Sequence, residues 1–185
     1  VLVVGAGPSG SSAAAWAARA GHEVLVVDAC EFPRDKACGD GLTPRAMVEL
    51  RHLGLGDWLD GRIRHHGLRL AGFGSEVEVR WPGPSCPGVS SAVPRTELDD
   101  GVRKAAEMAG ASMLLGSKAV DVKRDSAGRV TEVVLADGRR VACRWLIVAD
   151  GARSSLGRVL GRQWHQQTVY GVAARAYLRS PRDSE

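Results

Sequence analysis

The first ten residues constrain this chain more than any other feature. Val1-Leu2-Val3-Val4 is an unbroken β-branched and aliphatic run, as in a strand covered on both faces, and it enters Gly5-Ala6-Gly7-Pro8-Ser9-Gly10 without a spacer. Ser9 to Ala20 then reads as a helix of small residues stopped by Gly21, and Val24 to Asp28 is a second buried run that ends in an acid. A G-x-G-x-x-G between strand and helix in such a βαβ unit is a dinucleotide site. Gly5 permits the tight turn, Gly7 lets a pyrophosphate approach the backbone, and Gly10 lets the helix lie close on the strand. Ala6, Pro8 and Ser9 complete the turn, the helix start offers unpaired N–H groups to phosphate, and Asp28 accepts from ribose hydroxyls. The alternative is a plain tight turn with a solvated strand-end acid, and the motif by itself does not separate FAD from NAD.

Downstream, Ala29 to Gly41 reads as irregular, and Thr43-Pro44 caps a helix running to Leu53. Leu68–Phe73 and Glu76–Trp81 flank Gly74-Ser75 as a hairpin, with Val77, Val79 and Trp81 on one face and Glu76, Glu78 and Arg80 on a wet face. Pro82 breaks the alternation. Thr96 is read as the cap of a helix with the apolar stripe Leu98, Val102, Ala105, Ala106 and Ala109, stopped by Gly110, and Ser112 to Leu115 as a third parallel strand. Ala119–Val122, Val130–Ala136 and Arg140–Ala142 make a β-meander. Trp145 to Ala149 returns to the fully buried type of strand, ending at Asp150-Gly151 before a short helix from Ser154 or Ser155.

The fold expected is α/β: a Rossmann-like dinucleotide-binding domain with a parallel sheet and a β-meander over residues 1–165. Leu68 to Ser91 is an excursion toward a second, α+β substrate-binding domain. Residues 166–185 begin that domain, with a strand from Thr168 to Leu178. Trp16, Trp58, Trp81, Trp145 and Trp164 are read as core packing. Val1 lies inside an apolar run and Ser180 to Glu185 close no element, so the chain reads as a fragment.

Composition narrows the partners. With 44% hydrophobic residues the chain can bury a core, and its net charge of +4 comes from scattered arginines rather than a basic patch. Aromatic residues are 5% and do not alternate with Arg, so nucleic acid is not implied. Cys30, Cys38, Cys86 and Cys143 form no CxxC and have no His at ligand spacing, which argues against a metal and fits a reducing cytoplasmic setting. His65, His66 and His165 read as surface or structural imidazoles. Ala13 to Ala18, the longest small-apolar stretch, is far short of the ~20 residues of a membrane span, so membrane contact is expected to be peripheral.

Later segments bear on which dinucleotide is bound. Ser91-Ala92-Val93-Pro94-Arg95-Thr96-Glu97-Leu98-Asp99 and Ala149-Asp150-Gly151-Ala152-Arg153-Ser154 resemble the middle motifs of the flavoprotein group that includes the aromatic hydroxylases. Phe32-Pro33-Arg34-Asp35-Lys36-Ala37-Cys38-Gly39-Asp40-Gly41-Leu42-Thr43-Pro44-Arg45 resembles the geranylgeranyl reductase family. Ser91-Ala92-Val93 and Gly161-Arg162-Gln163-Trp164-His165, leading into Val169-Tyr170-Gly171-Val172, resemble its menaquinone reductase branch. The resemblance covers essentially the whole chain.

The resemblance implies FAD as cofactor, Arg95 reaching the dinucleotide, Asp150-Gly151 near its pyrophosphate, Val120 meeting adenine through its backbone, and Cys38, Gly39, Asp40 and Gly41 on the flavin side. It implies reduction of a double bond in the isoprenoid tail of menaquinone or in a geranylgeranyl group. Reduced flavin gives hydride to one carbon and an acid gives a proton to the other. The implied partners are that isoprenoid or menaquinone substrate, an electron donor (NADPH, ferredoxin or another carrier), and the inner face of the cell membrane. The group places a further Gly-Asp flavin contact later in its chains, so these 185 residues alone are expected to bind FAD poorly.

Several residues keep more than one reading. Cys38 is either a thiol at the reacting alkene or a small buried residue; Asp40 either orients Cys38, contacts the flavin or makes a turn. Arg95 meets phosphate or water, and Asp150-Gly151 is a cofactor contact or a strand-to-helix turn. An aromatic hydroxylase and a non-redox isoprenoid cyclase share the fold, which does not decide among them.

Overall fold

The structure, a computed structural model, describes residues 1–83, 88–163, 171 and 174–179. Expectations for Cys86, Trp164, His165, Val169, Tyr170 and Val172 lie outside the described residues. In chain order the first elements are β1 (Leu2–Val4), α1 (Pro8–Arg19), β2 (Leu25–Val27), β3 (Gly41–Leu42), α2 (Pro44–His52) and α3 (Gly56–Asp60). Next come β4 (Gly67–Gly72), β5 (Ser75–Arg80), β6 (Ser91–Ala92), α4 (Arg95–Met108) and β7 (Ser112–Leu114). β8 (Ala119–Arg124), β9 (Val130–Leu135), β10 (Arg140–Ala142), β11 (Leu146–Val148) and α5 (Ser155–Val159) complete it.

The four aliphatic runs become one parallel sheet, ordered β11-β1-β2-β7, with Leu2 opposite both Leu146 and Leu25. Strand alternation then sorts its side chains onto two faces. Val3 and Val26 join Ala14, Ala15, Val102, Ala105 and Ala106 in a core under α1 and α4, whereas Leu2, Val4 and Val27 join Val133, Leu135 and Leu156 under the antiparallel meander β8–β9–β10. Ala14 and Ala15 are fully buried, so the small side chains of α1 let it lie close on the sheet. Both layers put the ends of β1, β2 and β11 at one edge, where the glycine turn leaves β1.

Several sequence expectations are corrected. α4 starts at Arg95 with Pro94 as N-cap, because Glu97 and Leu98 already donate their N–H groups to the Pro94 carbonyl; Thr96 caps nothing. The hairpin turns at Phe73-Gly74, both with positive φ, rather than at Gly74-Ser75. Its apolar face is also exposed: Val77 and Val79 stand 56% and 46% accessible opposite Leu70 and Leu68. Trp81 lies beyond β5, its indole N–H donating to Ser90 Oγ at 2.9 Å. β11 is an edge strand and only half-buried, which leaves Trp145 68% exposed; Trp16 on the outer side of α1 is 50% exposed. The strand expected from Thr168 to Leu178 does not form at Gly171 or at residues 174–178.

Candidate functional site

The glycine turn is fixed from below by backbone contacts. Gly5 donates its N–H to the Val27 carbonyl at 2.7 Å and has φ +104°, and a Cβ there would lie 2.3 Å from the Ala149 carbonyl oxygen. A Cβ at Gly10 would lie 1.8 Å from the Gly5 carbonyl oxygen, so these two glycines serve turn and packing. Gly7 differs. A Cβ there would meet only Arg34 Nη2 at 3.4 Å, and as N-cap of α1 it offers no side chain to the first helical N–H groups, which leaves them for an anion. Ser11 Oγ donates to the Ala6 carbonyl at 2.9 Å from beneath.

Asp28 acts on this turn directly. Its Oδ2 accepts from the Ala6 N–H at 2.6 Å and its Oδ1 from the Cys30 N–H at 2.8 Å. A carboxylate oxygen keeps a second lone pair beyond one such bond, so acceptance from ribose remains open to Asp28.

A cleft of about 440 Å³ opens above the carboxyl ends of the strands and brings Gly5, Gly7, Pro8, Ser9, Asp28, Arg95, Asp150 and Gly151 onto one wall system with Arg34 and Lys36. Ala6 and Gly10 lie behind it, buried. Cys38 to Gly41 and Val120 do not line it, although Lys118 and Ala119 do. The β8–β9 register skips from Ala119 to Asp121, which leaves Val120 without a ladder partner in a bulge. A larger hollow of about 580 Å³ beside Val1, His22 and Trp145 sits at the opposite ends of the strands, away from the glycine turn. Ligands of open α/β sheets bind at the carboxyl ends.

Asp150 follows β11, and its Oδ2 accepts from the Leu156 N–H at 3.2 Å while Ser154 Oγ caps α5 by accepting from the Gly157 N–H at 2.7 Å. Asp150 Oδ1 is buried with no hydrogen-bond partner among the described residues. Gly151, with φ +94°, turns the chain away from it.

The sequence reading missed Asp99. It is fully buried on α4 and accepts from Arg95 Nε at 2.5 Å and Nη2 at 2.7 Å, and it pairs with Arg34 Nη1 at 3.1 Å. Arg95 therefore stands at the cleft with one edge of its guanidinium engaged by protein, and Arg34 lies over the Phe32 ring at 4.8 Å. The available signal was positional: Asp99, Val102 and Ala106 share one helix face, and an acid on an apolar stripe requires a cation.

Beside this pair, the Asp40 backbone N–H, and then the Arg95 guanidinium, hold the Cys38 thiol below its ordinary range against the opposing effect of burial; burial pushes the Cys143 thiol up. A lowered thiol pKa means more thiolate at neutral pH. Iodoacetamide near pH 7 is therefore expected to label Cys38 about tenfold faster than Cys143, read by peptide mass mapping, and equal rates would contradict this electrostatic picture.

The sequence profile of the FAD binding domain family matches residues 1–181. The chain belongs to that family. It is 70% identical to the menaquinone reductase of Mycolicibacterium smegmatis over all 185 residues, which is 45% of that protein, and 30% identical to the digeranylgeranylglycerophospholipid reductase of Picrophilus torridus over 87% of this chain and 41% of the other. Among solved structures, Pseudomonas aeruginosa PqsL in complex with 2-aminobenzoylacetate superposes with a TM-score of 0.79 at 25% identity, covering 91% of this chain and 47% of PqsL. The chain thus spans under half the length of these proteins.

For an FAD binding domain the cofactor is FAD, and the cleft suits it on observations internal to the structure. The orphaned Asp150 Oδ1 lacks the donor that a buried carboxylate oxygen requires, and a cofactor hydroxyl or N–H supplies one. Gly7 leaves room over the uncapped start of α1, and Arg34 and Lys36 give the same wall positive charge.

Proposed function

We propose that the full protein is an FAD-dependent oxidoreductase that saturates a double bond in the prenyl tail of menaquinone. The observation carrying this reading is the 70% identity to a menaquinone reductase across a span that contains both the glycine turn and the Cys38–Gly41 segment. In this reading residues 1–165 hold the cofactor, Leu68 to Ser91 reaches toward a substrate domain, and residues 166–185 begin that domain.

The roles follow from the chemistry of each group. Gly5, Ala6, Gly7, Pro8, Ser9 and Gly10 shape the turn, and the start of α1 takes the pyrophosphate. Asp28 accepts from ribose hydroxyls, the bulged backbone of Val120 reads the adenine edge, and Asp150 with Gly151 orders the polar middle of the dinucleotide. Arg95 adds positive charge at the cleft while Asp99 holds it still. Reduced FAD supplies two-electron hydride chemistry when bound. Cys38, beside Arg95 and the Gly39-Asp40-Gly41 backbone, gives the proton to the second alkene carbon from Sγ; its lowered pKa makes the protonated thiol a stronger acid while leaving a smaller share of it protonated at neutral pH. The substrate is an isoprenoid quinone, the electron donor is NADPH, ferredoxin or a similar carrier, and quinone supply calls for peripheral contact with the inner face of the cell membrane. Among the described residues no helix is long and apolar enough to cross a membrane.

The test uses the full chain with its flavin reduced anaerobically, mixed with menaquinone, and the tail analysed by mass. A gain of two hydrogens is expected. An unchanged tail, or an oxygen added to an aromatic substrate after admission of air, overturns the reading in favour of hydroxylation or another flavin reaction.

A further inference from the structure

Asp40 is an unusual residue by position alone. It has φ +58°, a left-handed conformation that a side chain other than glycine's disfavours, and it is buried. Its carbonyl accepts from the Val93 N–H at 2.9 Å, and just beyond it β3 pairs with β6, Gly41 opposite Ala92. That anchors the segment on one side. The other anchor comes from residues more than 130 positions away.

The Arg175 guanidinium reaches Asp40 Oδ1 at 3.2 Å and Asp35 Oδ1 and Oδ2 at 2.7 and 2.6 Å, and donates to the Lys36 carbonyl at 3.3 Å. The Tyr177 hydroxyl donates to Asp40 Oδ2 at 2.6 Å, and Arg175 stacks over the Tyr177 ring at 4.6 Å. One short stretch of chain therefore clasps both ends of the segment that carries Cys38, through one guanidinium and one phenol. The Asp40 backbone N–H is also the largest influence lowering the Cys38 thiol.

We propose that Arg175 and Tyr177 are positioning residues for the Cys38–Gly41 segment, acting through the Asp40 carboxylate. They hold Asp40 in its left-handed conformation, and that conformation aims its N–H at the cysteine sulfur. The charged groups acting on the thiol are Arg95 from α4 and Asp40 itself, while Arg175 and Tyr177 bond to Asp40 and Asp35 shares the Arg175 guanidinium. The inference rests on the reductase reading only in setting this segment to serve the flavin, and its readout does not involve menaquinone.

When the clasp is cut, Asp40 is free to relax and its N–H turns from the sulfur, and in Arg175→Gln its carboxylate also loses a neutralising partner. Both changes favour the protonated thiol. The test is the pH profile of iodoacetamide labelling in the FAD-loaded full chain, for the wild type, Tyr177→Phe and Arg175→Gln. Both variants are expected to slow Cys38 labelling near neutral pH by about three- to tenfold and to move its midpoint upward, with the Cys143 rate unchanged as internal control. Tyr177→Phe removes a single oxygen, so it remains informative if Arg175→Gln fails to fold. A Cys38 profile that stays in place in Tyr177→Phe, or labelling of both cysteines that accelerates together, overturns the proposal: the first severs the clasp from the thiol, and the second reduces the clasp to general stability. Loss of menaquinone reduction in the wild type would sink the reductase reading and leave this result standing.

Discussion

Replacing Gly10 by Ala is expected to destabilise the full chain by about 3 kcal/mol and to leave it without FAD. Overpacking a tight contact costs about 1–3 kcal/mol where neighbours can shift, occasionally more. Here the added Cβ would sit 1.8 Å from the Gly5 carbonyl oxygen and 3.2 Å from Ala149 Cβ, and neither belongs to the free end of a flexible side chain. Relief requires α1 to move off β1, which disturbs Gly5, held by its bond to Val27, and the N–H groups at the helix start. Urea denaturation and the flavin-to-protein ratio after purification check both effects. Gly7→Ala separates packing from binding. Its Cβ meets only Arg34 Nη2 at 3.4 Å, so stability is expected to change by less than about 1 kcal/mol while FAD affinity falls, because the methyl group stands where the pyrophosphate approaches. A Gly7→Ala protein that keeps wild-type FAD affinity would remove Gly7 from the cofactor site.

The parts of this molecule that sequence discloses are those set by short-range periodicity. An unbroken aliphatic run has few fates, so Leu2–Val4, Leu25–Val27 and Leu146–Val148 were readable as neighbours in a parallel sheet, and the spacing of Leu98, Val102, Ala105 and Ala106 gave the buried stripe of α4. The meander was legible from alternation and from Asp137-Gly138. What the pattern hides is where an edge falls. Trp145 and β11 carry the composition of a central strand, yet nothing pairs with the outer side of β11 among the described residues, and the indole is exposed. Thr96 is a good capping residue in isolation, but the Pro94 carbonyl accepts from the Glu97 and Leu98 N–H groups, so the helix begins at Arg95, two residues before a Thr96 cap would have started it.

The site divides along the same line. Gly5, Gly7, Pro8, Ser9, Asp28, Asp150 and Gly151 reach one cleft because strand ends deliver them there, and a strand end is visible in sequence. Arg95 was visible as a cation near the cofactor, and its partner was not: in a helix capped at Thr96, Asp99 would fall in the first turn and suit the dipole, and only packing shows that the residue faces inward. The clasp on Asp40 was beyond reach for another reason. Arg175 and Tyr177 belong to a stretch with no regular element, and no periodicity links a loop at 35–40 to a segment at 174–179.

Asp99→Ala is expected to cost about 3–5 kcal/mol, the range for removing one partner of a buried ion pair, against the roughly 5–15 kcal/mol total of a typical domain. Asp99 is 0% exposed, and the guanidiniums it faces, Arg95 and Arg34, are only 12% and 18% exposed in their side chains, so neither is free to hydrate in place. Their mutual repulsion, no longer screened by the carboxylate, acts at the wall of the cleft. Its consequence differs between the two ligation states. The cofactor brings a pyrophosphate to that wall, and a dianion beside two unpaired guanidiniums replaces part of the lost charge, so the loss of stability is expected to be smaller with saturating FAD than without it. Urea melts of the full chain with and without FAD measure both numbers. Asp99→Asn keeps the volume and one acceptor and is expected to fall between wild type and Ala. A loss below about 1 kcal/mol in the FAD-free Asp99→Ala protein would mean that Arg34 and Arg95 find other anions, and a loss that FAD does not reduce would place both arginines out of reach of the cofactor's phosphates.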